Sequence, residues 1–155
     1  MNAADITAEV FVESMLRHVP FDGWSEAAMQ VTAEELGMSA SDVDVLFPSG
    51  VIGVIETGLK DIDNRMVDIF MARFDAEIAT MPVHVKVREL LLARFELLQP
   101  HKEAVRKLLA FMAQPRHAKL GTSLVYKTLD RVWRAAGDRS TDYNFYTKRA
   151  TLGAV

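Results

Sequence analysis

Cysteine is absent from the chain. Disulfides, thiolate nucleophiles and cysteine-type zinc sites are therefore excluded, and a reducing compartment is permitted. No stretch reaches the ~18 continuous apolar residues that a membrane-spanning helix needs. The first five residues, Met1-Asn2-Ala3-Ala4-Asp5, carry no basic segment and no apolar signal core. Neither a secretory nor an organellar targeting peptide is read there. Alternating β-branched runs are missing beyond residues 83–87, so the sequence offers almost no strand signal. Phosphate-cradling glycine loops of the G-x-x-x-x-G-K-[ST] or G-x-G-x-x-G kind are also missing, which leaves nucleotide binding unsupported. The four histidines, His18, His84, His101 and His117, form no i, i+4 pair and no H-E-x-x-H pattern. Without an E-x-x-H motif the chain does not read as a di-iron carboxylate enzyme. No catalytic or metal-binding constellation is found. His18 reads as a structural hydrogen-bonding residue, and the pairs Glu34/Glu35 and Asp61/Asp63 as solvated helix faces.

What the 155 residues do carry is helical periodicity almost throughout. One domain is the natural count at this length. Ile6, Val10, Phe11, Met15, Leu16 and Val19 predict a first helix over residues 4–17, ended by Pro20 and a turn at residues 21–23. Ser25 is placed to cap a second helix running to Leu36, with Gly37 as its stop. Ser39 and Asp42 give a capping-box start to a short third helix that ends at Phe47-Pro48. Helix, glycine turn and short helix together outline a helix-turn-helix.

Residues 50–80 form the longest amphipathic run, a continuous stripe from Ile52 to Met81. Gly53 and Gly58 near its start each cost about 1 kcal/mol against alanine. They mark a bend or a close helix crossing. Pro82 breaks the chain. Further helices are predicted over residues 84–98, from Pro100 to about residue 113, and after Pro115 up to Trp133. A last helix begins near Thr141 or Asp142 and is still apolar at Val155.

The net charge of −3 conceals an uneven distribution. Residues 1–63 hold two basic residues against twelve acids, a net charge of −10; residues 64–155 hold sixteen against nine, a net charge of +7. DNA affinity comes mostly from phosphate neutralisation by basic residues. The third helix, in the place of a reading helix, carries Asp42 and Asp44 and no Lys or Arg. A DNA-binding regulator of the tetracycline-repressor type is therefore the alternative reading, and charge argues against it. Eight methionines and eight phenylalanines are the remaining chemical signal. Such stripes fit either an ordinary buried core or a pocket that adapts to a long apolar ligand. The lining positions of such a pocket would be Leu59, Met66, Phe70, Phe74, Phe95, Leu109 and Leu124.

The most specific wording lies near the C-terminal end. Residues 133–150 read W-R-A-A-G-D-R-S-T-D-Y-N-F-Y-T-K-R-A. Gly137 stands where a helix closes on a left-handed residue, and Ser140, Thr141 and Asp142 are capping types. A second block, His18-Val19-Pro20-Phe21-Asp22-Gly23-Trp24-Ser25, is followed by Leu46-Phe47-Pro48 and Gly50. In that order the two blocks resemble the coenzyme-Q-nine family of ubiquinone-biosynthesis accessory proteins, and the resemblance covers nearly the whole chain.

The resemblance implies an all-α helical bundle of the tetracycline-repressor type with an N-terminal helix-turn-helix. The expected layout is a single helical domain, residues 1–49 forming the helix-turn-helix part and 50–155 the ligand-binding part. It also implies a non-catalytic role: binding an isoprenoid quinone or a phospholipid and presenting quinone intermediates to the demethoxyubiquinone hydroxylase, with no cofactor and no nucleic acid. Matching the family's partner patch are Asp130, Trp133 and the Ala136-Gly137-Asp138 corner, with Arg134 at its edge, polar where other members can be aromatic. Gly137, Asp138, Ser140, Thr141, Asp142, Asn144 and Tyr146 are expected to hold the helical hairpin. A further amphipathic helix follows the last one in family members, so 155 residues reads as a truncated form whose membrane contact would lie in the missing part. The expected location is cytoplasmic and peripheral to the inner membrane, or on the mitochondrial matrix side with the leader removed. A homodimer is expected as well.

Overall fold

The computed structural model describes residues 2–137, and every described element is helical. The elements are α1 (Ala8–Met15), α2 (Val19–Asp22), α3 (Glu26–Glu35), α4 (Ala40–Leu46), α5 (Val51–Phe74), α6 (Val83–Leu98), α7 (Lys102–Met112) and α8 (Ala118–Ala135). Short 3-10 turns at Ala3–Asp5, Gln99–His101 and Pro115–His117 lead into or join them. The all-α expectation holds. The predicted last helix lies outside the described residues.

The helix starts follow from side-chain chemistry. Thr7 Oγ1 accepts the Val10 amide at 3.3 Å, and Ser25 Oγ accepts the Ala28 amide at 3.2 Å. At α4 the box closes in both directions. Ser39 Oγ accepts the Asp42 amide at 3.1 Å, and Asp42 Oδ2 accepts the Ser39 amide at 2.9 Å. Each such cap satisfies amides that the first turn leaves without partners, and losing one costs about 1 kcal/mol. Gly37 adopts φ +68° after α3, the left-handed geometry that ends a helix cheaply only on glycine.

Three boundaries differ from the sequence reading. The first helix is α1, shorter at both ends than residues 4–17. Pro20 does not stop a helix but lies in the first turn of α2, where its missing amide has no intrahelical partner to lose. The long helix stops at Phe74 instead of reaching residue 80. Residues 75–80 are turns, and Pro82 pushes the residue before it out of helical geometry. Ile78 and Met81 still pack on a core from that irregular segment.

The chain divides into two compact units. The first comprises residues 1–61 and 101–117, the second 62–100 and 118–155, so the boundary falls inside α5. In the first unit Phe11, Met15, Val19, Ala28 and Val54 are fully shielded, and the Phe11 and Phe47 rings lie 5.1 Å apart at 52°. Burying one such large side chain is worth about 1.5–3 kcal/mol. Trp24 Nε1 donates to the Ala104 carbonyl at 3.0 Å and ties the residue 18–25 block to α7. The second unit has its own core of Met66, Phe70, Leu90 and Val132. Among the described residues no helix is long and apolar enough to cross a membrane.

Candidate functional site

The second unit carries most of the positions read as functional. On α8, Val132 points fully into the core and Trp133 packs against it, half-buried. Asp130 and Arg134 lie one turn apart on the same helix, joined by a 3.0 Å ion pair. The Arg134 side chain is 68% exposed. Gly137 follows at φ +79° and turns the chain out of the helix. The expected patch is thus one face of the last turns of α8, with an aromatic body rooted in the core and a charged rim. Asp138, Ser140, Thr141, Asp142, Asn144 and Tyr146 lie outside the described residues.

The seven apolar positions read as a lipid lining fall into different environments. Met66 and Phe70 are fully buried in the core of the second unit, and Phe74 packs beside them with its ring 5.5 Å from that of Phe70. Leu124 is buried on α8. Phe95, in contrast, is 63% exposed on α6. Leu59 and Leu109 belong to the first unit, the former half-buried and the latter 61% exposed. The structure therefore gathers Met66, Phe70 and Phe74 and leaves Phe95 and Leu109 facing solvent. A separate open depression of about 540 Å³ lies on α8 against Ala118, Lys119, Thr122, Ser123 and Tyr126.

One polar group in the second unit was misread from the sequence. Asp63 is not part of a solvated face: it is only 6% exposed. The Arg94 guanidinium donates to its Oδ1, and the Thr128 hydroxyl donates to Oδ2 at 3.0 Å. The cluster joins α5, α6 and α8 in the middle of the unit. Burial pushes the Asp63 carboxyl above its ordinary range, outweighing the opposing pull of Arg94 and the Thr128 bond. A signal for it existed. Asp63 stands in the apolar register of Leu59, Met66 and Phe70, at spacings of four, three and four residues. An acid on a buried stripe needs a cationic partner.

In the first unit the reading of His18 is met. Its Nε2 lies 2.6 Å from Glu35 Oε2, and Arg17 donates to the other oxygen of that carboxylate. The His18 hydrogen bond is the main cause that holds Glu35 below the usual carboxylate range. The paired acids at the end of α3 are exposed, and Glu35 is held from two sides.

Residues 118–155, starting where α8 starts, match the family model COQ9. The chain is also similar to the ubiquinone biosynthesis protein COQ9, mitochondrial, of Drosophila melanogaster. That similarity is 28% identity over 146 residues, 93% of this chain and 44% of that protein. Both comparisons thus find the chain similar to COQ9 proteins. Human COQ9 aligns at 26% identity over 149 residues, 90% of this chain and 45% of its own length. The probable coq9 of Dictyostelium discoideum aligns at 23% over 150 residues, 93% and 48%. The chain spans less than half the length of these curated relatives. The match to the COQ9 model takes in Asp130, Trp133, Arg134 and Gly137, and the alignments reach across both units.

Proposed function

We propose that this chain serves ubiquinone biosynthesis as a non-catalytic accessory protein that binds an isoprenoid lipid and presents quinone intermediates to the demethoxyubiquinone hydroxylase. The observation that carries the reading is the alignment to COQ9 proteins over about nine-tenths of the chain, together with the family match to residues 118–155. The names of those relatives tie them to ubiquinone biosynthesis. The lipid part of the reading rests on the family likeness; of the α5 positions it names, Met66 and Phe70 are packed in the core of the second unit. The partner patch is the end of α8, with Trp133 as aromatic body and Asp130 and Arg134 as its rim; aromatic and Arg residues dominate interface hot spots. The chain acts at a membrane surface, on the cytoplasmic or the mitochondrial matrix side, and takes its ligand from the bilayer.

Native mass spectrometry of the purified chain tests the ligand. A co-purifying quinone or phospholipid is the expected result. A clean apo mass after gentle purification from a ubiquinone-producing host counts against lipid binding.

A transcriptional regulator of the tetracycline-repressor type remains the second reading. What favours it is the pair α3 and α4, joined by the short turn of residues 36–39. What weighs against it is the charge of α4.

A further inference from the structure

The Asp63 cluster has no part in the reading above, yet it lies against the helix that carries the partner patch. Asp63 comes from α5, Arg94 from α6 and Thr128 from α8, all within the second unit. The Asp63 and Arg94 side chains are 9% and 15% exposed, so the pair is largely closed off from solvent. Thr128 Oγ1 lies 3.0 Å from Asp63 Oδ2 and 3.3 Å from Oδ1. The charge of Arg131, one turn further along α8, also acts on this carboxylate. On the same helix Asp130, Trp133 and Arg134 follow Thr128 within two turns.

We infer that Thr128 is a positioning residue: its bond to the Asp63–Arg94 pair sets the register of α8 and so the presentation of Asp130, Trp133 and Arg134 to the partner protein. Leu124 and Val132, one turn to either side of Thr128, hold α8 to the unit by burial. Apolar attraction is non-directional and sets depth more than register. A hydrogen bond fixes distance and angle, and an ionised acceptor makes it stronger. Moving α8 by one residue shifts Thr128 about 1.5 Å along the axis and turns it by roughly 100°, which takes the hydroxyl off Asp63. The carboxylate does not follow, because the Arg94 guanidinium holds its Oδ1 from α6. A buried polar network with its partners in place selects one arrangement of the helices that carry it. Thr128 thus acts on the patch through the helix. The inference rests on the hydroxylase reading of that patch.

Fluorine NMR of the full 155-residue chain, labelled with 5-fluorotryptophan, tests this together with hydroxylase binding. The chain has two tryptophans, and each gives one line, assigned with Trp24→Phe. Trp24 lies in the first unit and serves as the internal control. Thr128→Val keeps the side-chain shape and removes the hydroxyl. The expected result is a Trp133 line that moves while the Trp24 line stays. Affinity for the demethoxyubiquinone hydroxylase of the same organism should fall on the order of tenfold, the scale of one lost hot-spot contact. Thr128→Ser restores the hydroxyl and should return both the line and the affinity. If the valine variant does not fold, Thr128→Ala removes the same hydroxyl without the bulk and is read in the same way. A Trp133 line at the wild-type position in the folded valine or alanine variant overturns the inference, even if the melt falls, since Thr128 then only adds stability. So does a serine variant that restores nothing. A wild-type chain that binds no hydroxylase overturns the hydroxylase reading instead, and the Trp133 line then decides the register of α8 by itself.

Discussion

The buried carboxylate at Asp63 has the clearest energetic consequence of any single residue. Arg94 and Thr128 satisfy it, so removing Arg94 strands a charge. Arg94→Met is expected to cost about 3 kcal/mol at neutral pH, in the range for breaking a buried pair from one side. Changing both partners to apolar residues, Asp63→Leu with Arg94→Met, should recover most of that loss. Urea melts of the three variants decide it; a loss from the single variant no larger than for an exposed pair would show that water reaches Asp63. The pH sense is fixed by the direction of the shift. Burial holds the Asp63 carboxyl above its ordinary 3.8. A carboxyl raised in the folded state binds its proton more tightly there, so its contribution is full below 3.8 and is lost as pH rises through the folded value. Glu35 is shifted the other way, by the His18 bond first. Its contribution is present above its ordinary 4.5 and is lost as pH falls through the lower folded value. Glu35→Gln is therefore expected to flatten the acid limb of a stability-versus-pH curve while Asp63→Asn removes an opposing slope. Melting temperatures between pH 3 and 7 read both. The partner patch also changes at this scale. Trp133 packs on the core of the second unit, so Trp133→Ala confounds binding with stability. Arg134→Glu is the cleaner probe: an exposed i, i+4 pair contributes only about 0.3–0.5 kcal/mol. If the patch docks the hydroxylase, this variant loses co-purification and keeps the wild-type melt. Unchanged co-purification would remove Arg134 from the patch.

Helices were legible wherever the cue is local. Ser25, Ser39 with Asp42, and Gly37 mark starts and stops by chemistry confined to one turn, and the structure puts α3 and α4 where those residues say. Boundaries set by distant packing were not legible. The apolar stripe runs on from α5 through Ile78 and Met81, and periodicity alone does not show that the backbone has left the helix while its side chains stay on the core. Asp63 failed for a related reason: its charge suggested solvent, and only the third dimension supplies Arg94. Glycines sort the same way. Gly53 and Gly58 look alike in sequence, yet a methyl group added at Gly53 would stand 3.6 Å from Phe47, whereas at Gly58 it would stand 3.1 Å from Val12 Cγ1. The first is ordinary contact and the second is crowding against a buried, stiff β-branched residue. Gly53→Ala is expected to stabilise by about 0.5–1 kcal/mol, the helix-propensity gain. Gly58→Ala should give none of it until Val12→Ala makes room. A double-mutant cycle by chemical denaturation checks this, and equal gains at both glycines would mean that the α1 crossing yields freely.

The whole chain shows how a fold outline and a charge pattern point to different functions. The α3–α4 pair has the outline of a DNA-reading device, and the outline alone favours a regulator. Binding a duplex, however, means displacing counterions from phosphates with cations, and the strength of that term grows with the number of cations placed. On α4 that number is zero, with Asp42 and Asp44 in their place. Asp42 is also committed to the capping box, whose bonds from Ser39 hold its carboxyl below the usual range, so it stays charged at neutral pH. The positive charge of the chain lies instead after residue 63, outside α3 and α4. Any contact with DNA would then be non-specific, made by the basic part of the sequence and opposed by the acidic front. The expectation is no measurable binding of a random duplex by fluorescence anisotropy at micromolar protein and low salt. Replacing Asp44 and Val45 together by Lys should raise the anisotropy only slightly, since two cations neutralise at most about two phosphates. Micromolar binding by the unaltered chain that weakens steeply with salt would put the regulator reading ahead of the accessory one.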